Sequence, residues 1–208
     1  NLRNLPQEHF PEVFDRDCRD YWKKIIRLAA LCHDLGHTPF SHLLEKIFIP
    51  KGSHEDFSYK FIQSQELCEV WEKLDAKNAK QVCLDVAKLA LGEDYFKKHK
   101  SKVVFTPWEK VLSQIITEDN FGADRMDYLL RDSRSTGLAY GIFDHEQVLK
   151  LIKIVPIPTK KRRKNQNGYT LGIHIDGLQA TESLLLSRYF MFSRVYQNKG
   201  IISYWMII

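Results

Sequence analysis

The chain has 208 residues, a length that fits one domain and excludes three. Its 31 Lys and Arg against 26 Asp and Glu leave a net charge of +5, and 44% of residues are hydrophobic, which excludes disordered, collagen-like and low-complexity classes. No apolar run approaches the roughly 18 residues of a membrane span, so no membrane partner is expected.

From the N-terminus, Asn1-Leu2-Arg3-Asn4 lacks the apolar stretch of a signal peptide, and there is no initiator Met. The apolar run Ile201 to Ile208 at the other end points to an internal stretch of a longer protein. The first helix is predicted from about Tyr21, where Trp22, Ile25, Ile26, Ala29 and Cys32 recur at helical spacing opposite Lys23, Lys24 and Arg27. Asp15 or Asp17 is its cap, and Gly36, read as a left-handed C-terminal residue, and Pro39 end it. Helices follow over about Glu55 to Trp71 and Ala79 to Leu91. Thr106-Pro107-Trp108-Glu109 then supplies a cap, Pro at the first helical position and a Glu that closes a capping box. That helix ends near Ile116, and another spans about Ala123 to Arg131 with an Asp127–Arg131 pair. Leu151 to Val155 and Tyr169 to Ile175 are β-branched runs flanking turn formers and read as a hairpin within residues 151–175, before a helix from Leu178 to Asn198. The fold class is all-α with a small inserted β-hairpin, taken as a single domain over 1–208. Cys18, Cys32, Cys68 and Cys83 show no C-x-x-C spacing and read as reduced thiols in a cytoplasmic protein.

Four of the eight histidines fall between His33 and His54. His33 lies at helical spacing from Ala29, Ile26 and Trp22, so it leaves the first helix on the buried face. An imidazole beside the Asp34 carboxylate is a donor pair for a divalent metal, with Mg²⁺ or Mn²⁺ favoured and Fe²⁺, Zn²⁺ or Ni²⁺ also compatible. His37 is one turn from His33, and Glu45, three residues after His42, can orient that ring as general acid–base pairs require. A lone His on an apolar face is more often a satisfied core residue. Four with Asp34, Glu45 and Glu55 beside them point to chemistry.

The string His33-Asp34-Leu35-Gly36-His37-Thr38-Pro39-Phe40-Ser41-His42 resembles the signature of HD-domain phosphohydrolases, and its HDxGHxPFSH form is similar to the dGTPase-like branch that cleaves deoxynucleoside triphosphates. Gly122 to Asp132 resembles the family's later-helix motif, and Arg188 with Tyr196-Gln197-Asn198-Lys199 is similar to its R…VYxHK segment. The resemblance implies that His33, Asp34 and the distant Asp124 are metal ligands. It implies that His42 with Glu45 is the catalytic pair near the α-phosphate, and that His37 and His54 surround the phosphates. Arg125, Tyr128, Asp132, Arg188 and Tyr196 match positions that contact triphosphate or sugar. Arg125 stands where relatives can hold Lys, and either is cationic. The residues alone leave other readings open: an ion pair for Arg188 or Asp132, and core packing for Tyr128 and Tyr196. The reaction implied is hydrolysis of a deoxynucleoside triphosphate to deoxynucleoside and inorganic triphosphate, in an oligomer that activating nucleotides can bind.

The family's first metal-binding His, in an H-x-x-R-x-x-H-S-type segment, has no counterpart in the chain. The expectation is that it lies before Asn1, with His9, between Pro6 and Pro11, as the less favoured substitute. Lys160-Lys161-Arg162-Arg163-Lys164 sits at the predicted hairpin tip. A solvated loop is favoured over a nucleic-acid patch because no aromatics interleave the charges, and a contact to activating nucleotides is a third reading. Two alternatives to the triphosphohydrolase stand beside it. One is an HD phosphohydrolase acting on another nucleotide; the other is a catalytically inactive regulator that binds nucleotide or nucleic acid.

Overall fold

The computed structural model describes residues 5–39, 45, 52–100, 102–157 and 168–197. They fall into two compact units, Asn1–Ile116 and Thr117–Ile208. Among the described residues the architecture is all-α with one two-stranded antiparallel sheet, as the sequence patterns indicated.

In the first unit a short helix α1 (Pro11–Phe14) leads into α2 (Arg16–Cys32). Asp15 is the cap of α2: its side chain accepts from Cys18 N at 2.7 Å. Ile25, Ala29 and Cys32 are buried, the face that the apolar spacing defines. The predicted 55–71 helix is two helices, α3 (His54–Ile62) and α4 (Gln65–Leu74). Ser64 breaks the stretch because its hydroxyl accepts from Leu67 N at 3.4 Å and caps α4.

Helix α5 (Ala79–His99) is the centre of this unit, and α2, α3 and α4 all pack on it. The helix expected to end at Leu91 is interrupted instead at Gly92, which takes φ 73°, ψ 170°, and helical backbone resumes beyond it. Helix α6 (Pro107–Thr117) begins with the expected box: Thr106 N donates to Glu109 Oε2 at 2.7 Å and Glu109 N to Thr106 Oγ1 at 3.2 Å. The other Glu109 oxygen lies 2.5 Å from Lys88 Nζ, which also donates to Val104 O at 2.9 Å. Both side chains are buried, so each charge is matched by its partner. Asp85, also buried, accepts from Tyr21 Oη at 2.6 Å and Gln81 Nε2 at 2.8 Å.

The second unit contains α7 (Ala123–Thr136), α8 (His145–Leu151), β1 (Ile152–Pro156), β2 (Tyr169–Ile173) and α9 (Leu178–Met191). Gly137 ends α7 in the left-handed region at φ 69°. The strands pair Ile152 with Ile173 and Pro156 with Tyr169. The basic run 160–164 lies outside the described residues. Helix α8 was not expected, although Asp144 caps it by accepting from Gln147 N at 3.0 Å. The long helix predicted from Leu178 to Asn198 is α-helical only to Met191 and continues as one π-helical turn, Phe192–Tyr196. Met126, Leu129, Phe143, Val148, Leu184 and Met191 form the core of this unit. Among the described residues no helix is long and apolar enough to cross a membrane, and all four cysteines are free thiols.

Burial pushes the Asp85 carboxyl above its ordinary value, and the hydrogen bonds from Tyr21 and Gln81 only partly offset this. A raised folded-state value means that ionisation costs stability as pH rises through it, and that the cost is absent below the unfolded value. The Asp85→Asn variant lacks this cost. Its stability relative to the parent, from urea unfolding at a series of pH values, is expected to rise from acid to neutral pH. A flat or falling difference would refute the assignment.

Candidate active site

Helix α2 delivers His33 at its C-terminal cap. His33 Nδ1 lies 2.8 Å from Ala30 O, and because a carbonyl only accepts, this nitrogen carries the proton and Nε2 carries a lone pair. That Nε2 is 3.3 Å from Asp34 Oδ2, and the other Asp34 oxygen is 3.4 Å from His37 Nε2. The turn that follows α2 brings these groups together through bonds from Leu35 N to Cys32 O and from His37 N to Asp34 O.

His54 is the first residue of α3, whose start is fixed by a capping box between Ser53 and Asp56. Its ring stacks on that of His37, with centroids 3.9 Å apart and planes 13° from parallel. Glu45 Oε1 accepts from His54 N at 2.7 Å and lies 2.9 Å from Nδ1. The carboxylate thus fixes the tautomer and leaves the lone pair on Nε2. Ligand atoms of Asp34, His37 and His54 all lie within 4.8 Å of one another. Burial raises the Asp34 carboxyl, but the imidazoles of His33, His37 and His54, which favour the carboxylate when they are protonated, outweigh it and hold the group below its ordinary value.

This donor set fits a divalent metal. Imidazole nitrogens whose opposite ring atoms are tied to a carbonyl or a carboxylate surround one ionised aspartate, the arrangement that orients metal-binding histidines. His33 and Asp34 are the adjacent pair that would hold the ion.

The first unit therefore brings together His33, Asp34, His37, Glu45 and His54. Glu45, expected to orient His42, contacts His54; His42 lies outside the described residues. The sequence reading missed this pairing, since nothing local links positions 45 and 54. It also read Gly36 as a left-handed residue, yet among the described glycines positive φ occurs only at Gly92 and Gly137. Gly36 is required for a different reason. A Cβ there would lie 1.9 Å from His54 O and 2.4 Å from Ser58 N, so only a residue without a side chain lets the turn meet α3.

The second unit holds the other candidates. Asp124 is the second residue of α7. Arg125 Nε donates to Asp119 O at 3.0 Å and its NH2 pairs with the Asp119 carboxylate, while Arg188 NH1 donates to Asp119 O at 2.5 Å. Asp119 thus gathers two cationic side chains that lie 63 positions apart in the sequence. Tyr196 Oη donates to Asp132 Oδ2 at 2.7 Å, and the Tyr128 and Tyr196 rings meet edge to face at 6.0 Å. Burial, then the Asp132 hydrogen bond, raises the Tyr196 phenol well above its ordinary value. Both tyrosines also pack on the core, so packing and placement coincide.

The model of the HD domain family matches residues 18–132, more than half of the chain. The chain belongs to the HD-domain family. It is 36% identical over 178 residues to an uncharacterized protein of Methanocaldococcus jannaschii, a match that covers 86% of this chain and 31% of that protein. It is 28% identical over 152 residues to deoxynucleoside triphosphate triphosphohydrolase SAMHD1 of Mus musculus, covering 65% of this chain and 22% of the relative. The crystal structure of a phosphohydrolase from Bacteroides thetaiotaomicron has a similar fold, with a TM-score of 0.61 at 24% identity over 89% of this chain and 37% of that one. The chain spans about a third of the length of the first curated relatives it matches.

The Gly36→Ala variant is expected to lose roughly 2 kcal/mol or more of stability, because the new methyl collides with backbone rather than with a side chain that can turn away. Chemical denaturation of variant and parent measures it. A loss below about 0.5 kcal/mol would show that the turn can move away from α3.

Proposed function

We propose that the chain carries the catalytic core of a metal-dependent deoxynucleoside triphosphate triphosphohydrolase. The observation that carries this reading is the convergence of His33, His37 and His54 on the Asp34 carboxylate, with His54 held by Glu45. The family supplies the chemistry of a metal-assisted phosphohydrolase. The choice of substrate rests on the motifs that follow residue 122 and on the likeness to a relative named for that activity.

In this reading His33 and Asp34 hold the divalent ion, and Asp124, by its place in the Gly122–Asp132 motif, is a further ligand. The bound ion would polarise an α-phosphate oxygen and stabilise charge that builds there. Water attacks the α-phosphorus, the bond from phosphorus to the 5′ oxygen breaks, and that oxygen takes a proton as the deoxynucleoside leaves. A histidine held by a carboxylate suits this transfer, since the carboxylate stabilises the imidazolium from which the proton passes. His54 with Glu45 is assigned that role, and His42 is retained as a second candidate. His37 lines the phosphates. Arg125 and Arg188 bind the triphosphate, for which planar bidentate donors are suited. Tyr128, Tyr196 and Asp132 contact the sugar or phosphates. A homo-oligomer with activating nucleotides, and a role for the basic run 160–164 in binding them, belong to the same proposal.

The test is to incubate the full-length protein with each deoxynucleoside triphosphate and Mg²⁺ or Mn²⁺, singly and in mixtures, and to resolve the phosphate products. Inorganic triphosphate is expected, and an Asp34→Ala variant is expected to make none. Pyrophosphate with monophosphate would refute the cleavage position. Binding without any product would favour a regulator that keeps the scaffold. The Arg188→Ala variant is expected to raise KM by about tenfold or more, the scale of one lost charge-assisted hydrogen bond to phosphate. An unchanged KM would remove Arg188 from the binding site.

A further inference from the structure

We propose that Ser58 is a positioning residue that pins the metal-binding turn to helix α3, and that metal affinity depends on its hydroxyl. This rests on the reading that His33 and Asp34 bind a divalent cation.

The Ser58 side chain is fully buried, and its oxygen makes two hydrogen bonds to backbone more than twenty residues away. It donates to His33 O at 2.9 Å and accepts from Gly36 N at 2.9 Å. These two peptide groups flank Asp34 on either side. The His33 carbonyl is one of those at the end of α2 that have no partner inside the helix, and Gly36 N–H belongs to the turn. A single hydroxyl thus fixes the chain just before Asp34 and just after it, and so sets the direction in which the carboxylate leaves the backbone. Ser58 also lies four residues after His54, on the same face of α3. The pin therefore sets the distance of Asp34 and His37 from His54, and the absence of a Cβ at Gly36 lets that distance be short.

An alanine at 58 removes donor and acceptor together and leaves two buried backbone groups unsatisfied. The turn can then satisfy them only by moving away from α3, carrying the Asp34 and His37 side chains with it. Ligands that must be reassembled on each binding event bind metal more weakly than ligands held in place, and loss of a supporting group beyond the ligands usually costs ten- to a hundredfold in affinity.

The second unit provides a matched control. Ser133 is equally buried; its hydroxyl donates to Leu138 O and accepts from Gly141 N at 3.3 Å. Gly141, like Gly36, has no room for a Cβ, which would lie 2.3 Å from Leu129 O. The chemistry is the same, but neither Leu138 nor Gly141 adjoins a candidate metal ligand.

The experiment compares full-length parent, Ser58→Ala and Ser133→Ala after chelator treatment, titrating each with Mn²⁺ and following free Mn²⁺ by electron paramagnetic resonance. Both variants are expected to melt at lower temperature, whereas only Ser58→Ala is expected to weaken Mn²⁺ binding, by about tenfold or more. Unchanged Mn²⁺ affinity in a folded Ser58→Ala protein, or equal weakening in Ser133→Ala, overturns the proposal. If Ser58→Ala does not fold, Ser58→Cys, with its weaker donor and acceptor, is titrated instead; it is expected to fall between parent and the tenfold loss, and parent affinity there overturns the proposal. The metal reading has its own control. If the parent binds no Mn²⁺, or Asp34→Asn binds it as tightly as the parent, that reading fails and the positioning role fails with it.

Discussion

The candidate site depends on how closely the turn after α2 approaches the first turn of α3. At Gly36 the two backbones are so near that no side chain fits between them. That approach is what allows the His37 ring to stack on His54 and the Asp34 carboxylate to face histidines from both segments. Each backbone is fixed separately. Helix α3 begins at a capping box between Ser53 and Asp56, and Asp56 also accepts from Tyr95 Oη at 3.1 Å, which ties this start to α5. Helix α2 packs on α5 as well. The histidine cluster is therefore set by helix packing, with α5 as the common support.

How much of this was legible in the sequence follows from the range of each interaction. The α2 cap and the Thr106–Glu109 box involve residues three apart, and composition at that spacing reports them directly. The histidine string was legible because its candidate ligands are adjacent in sequence. Glu45 with His54 and Ser58 with His33 and Gly36 were not, since their partners lie 9 to 25 residues apart across a change of direction. Gly36 was visible as a glycine, but its reason was misread: local rules suggest a left-handed cap, whereas the cause is a neighbouring helix. The break at Ser64 and the π-helical turn at Phe192–Tyr196 were missed because apolar periodicity runs through both. In the second unit Arg125 and Arg188 were marked by motif, but nothing in either motif indicates that Asp119 holds both.

The charged residues sort into two groups by their surroundings. Lys88 and Glu109 are each 6% exposed and pair at 2.5 Å. Removing either one would leave an uncompensated buried charge, so their service is to the packing of α5 on the segment that leads into α6. Asp34 differs: its side chain is 51% exposed although the imidazoles on it are mostly buried. An anion that faces solvent from a ring of buried histidines can be reached by a cation and its water without unfolding anything.

Asp119 makes the same point from the opposite sign. Its side chain is 77% exposed, and exposed ion pairs stabilise a fold by little. Two arginines converge on this one exposed residue, and in the proposed function a triphosphate would exchange with the Asp119 carboxylate. The Asp119 carbonyl accepts from both guanidinium groups and so holds the pair together without the carboxylate. Buried charge paired one to one is therefore assigned to structure here, and exposed charge that converges is assigned to ligand. By that physical criterion, Asp34 and the Arg125–Arg188 pair are the candidates for function, and Lys88 and Glu109 serve the fold.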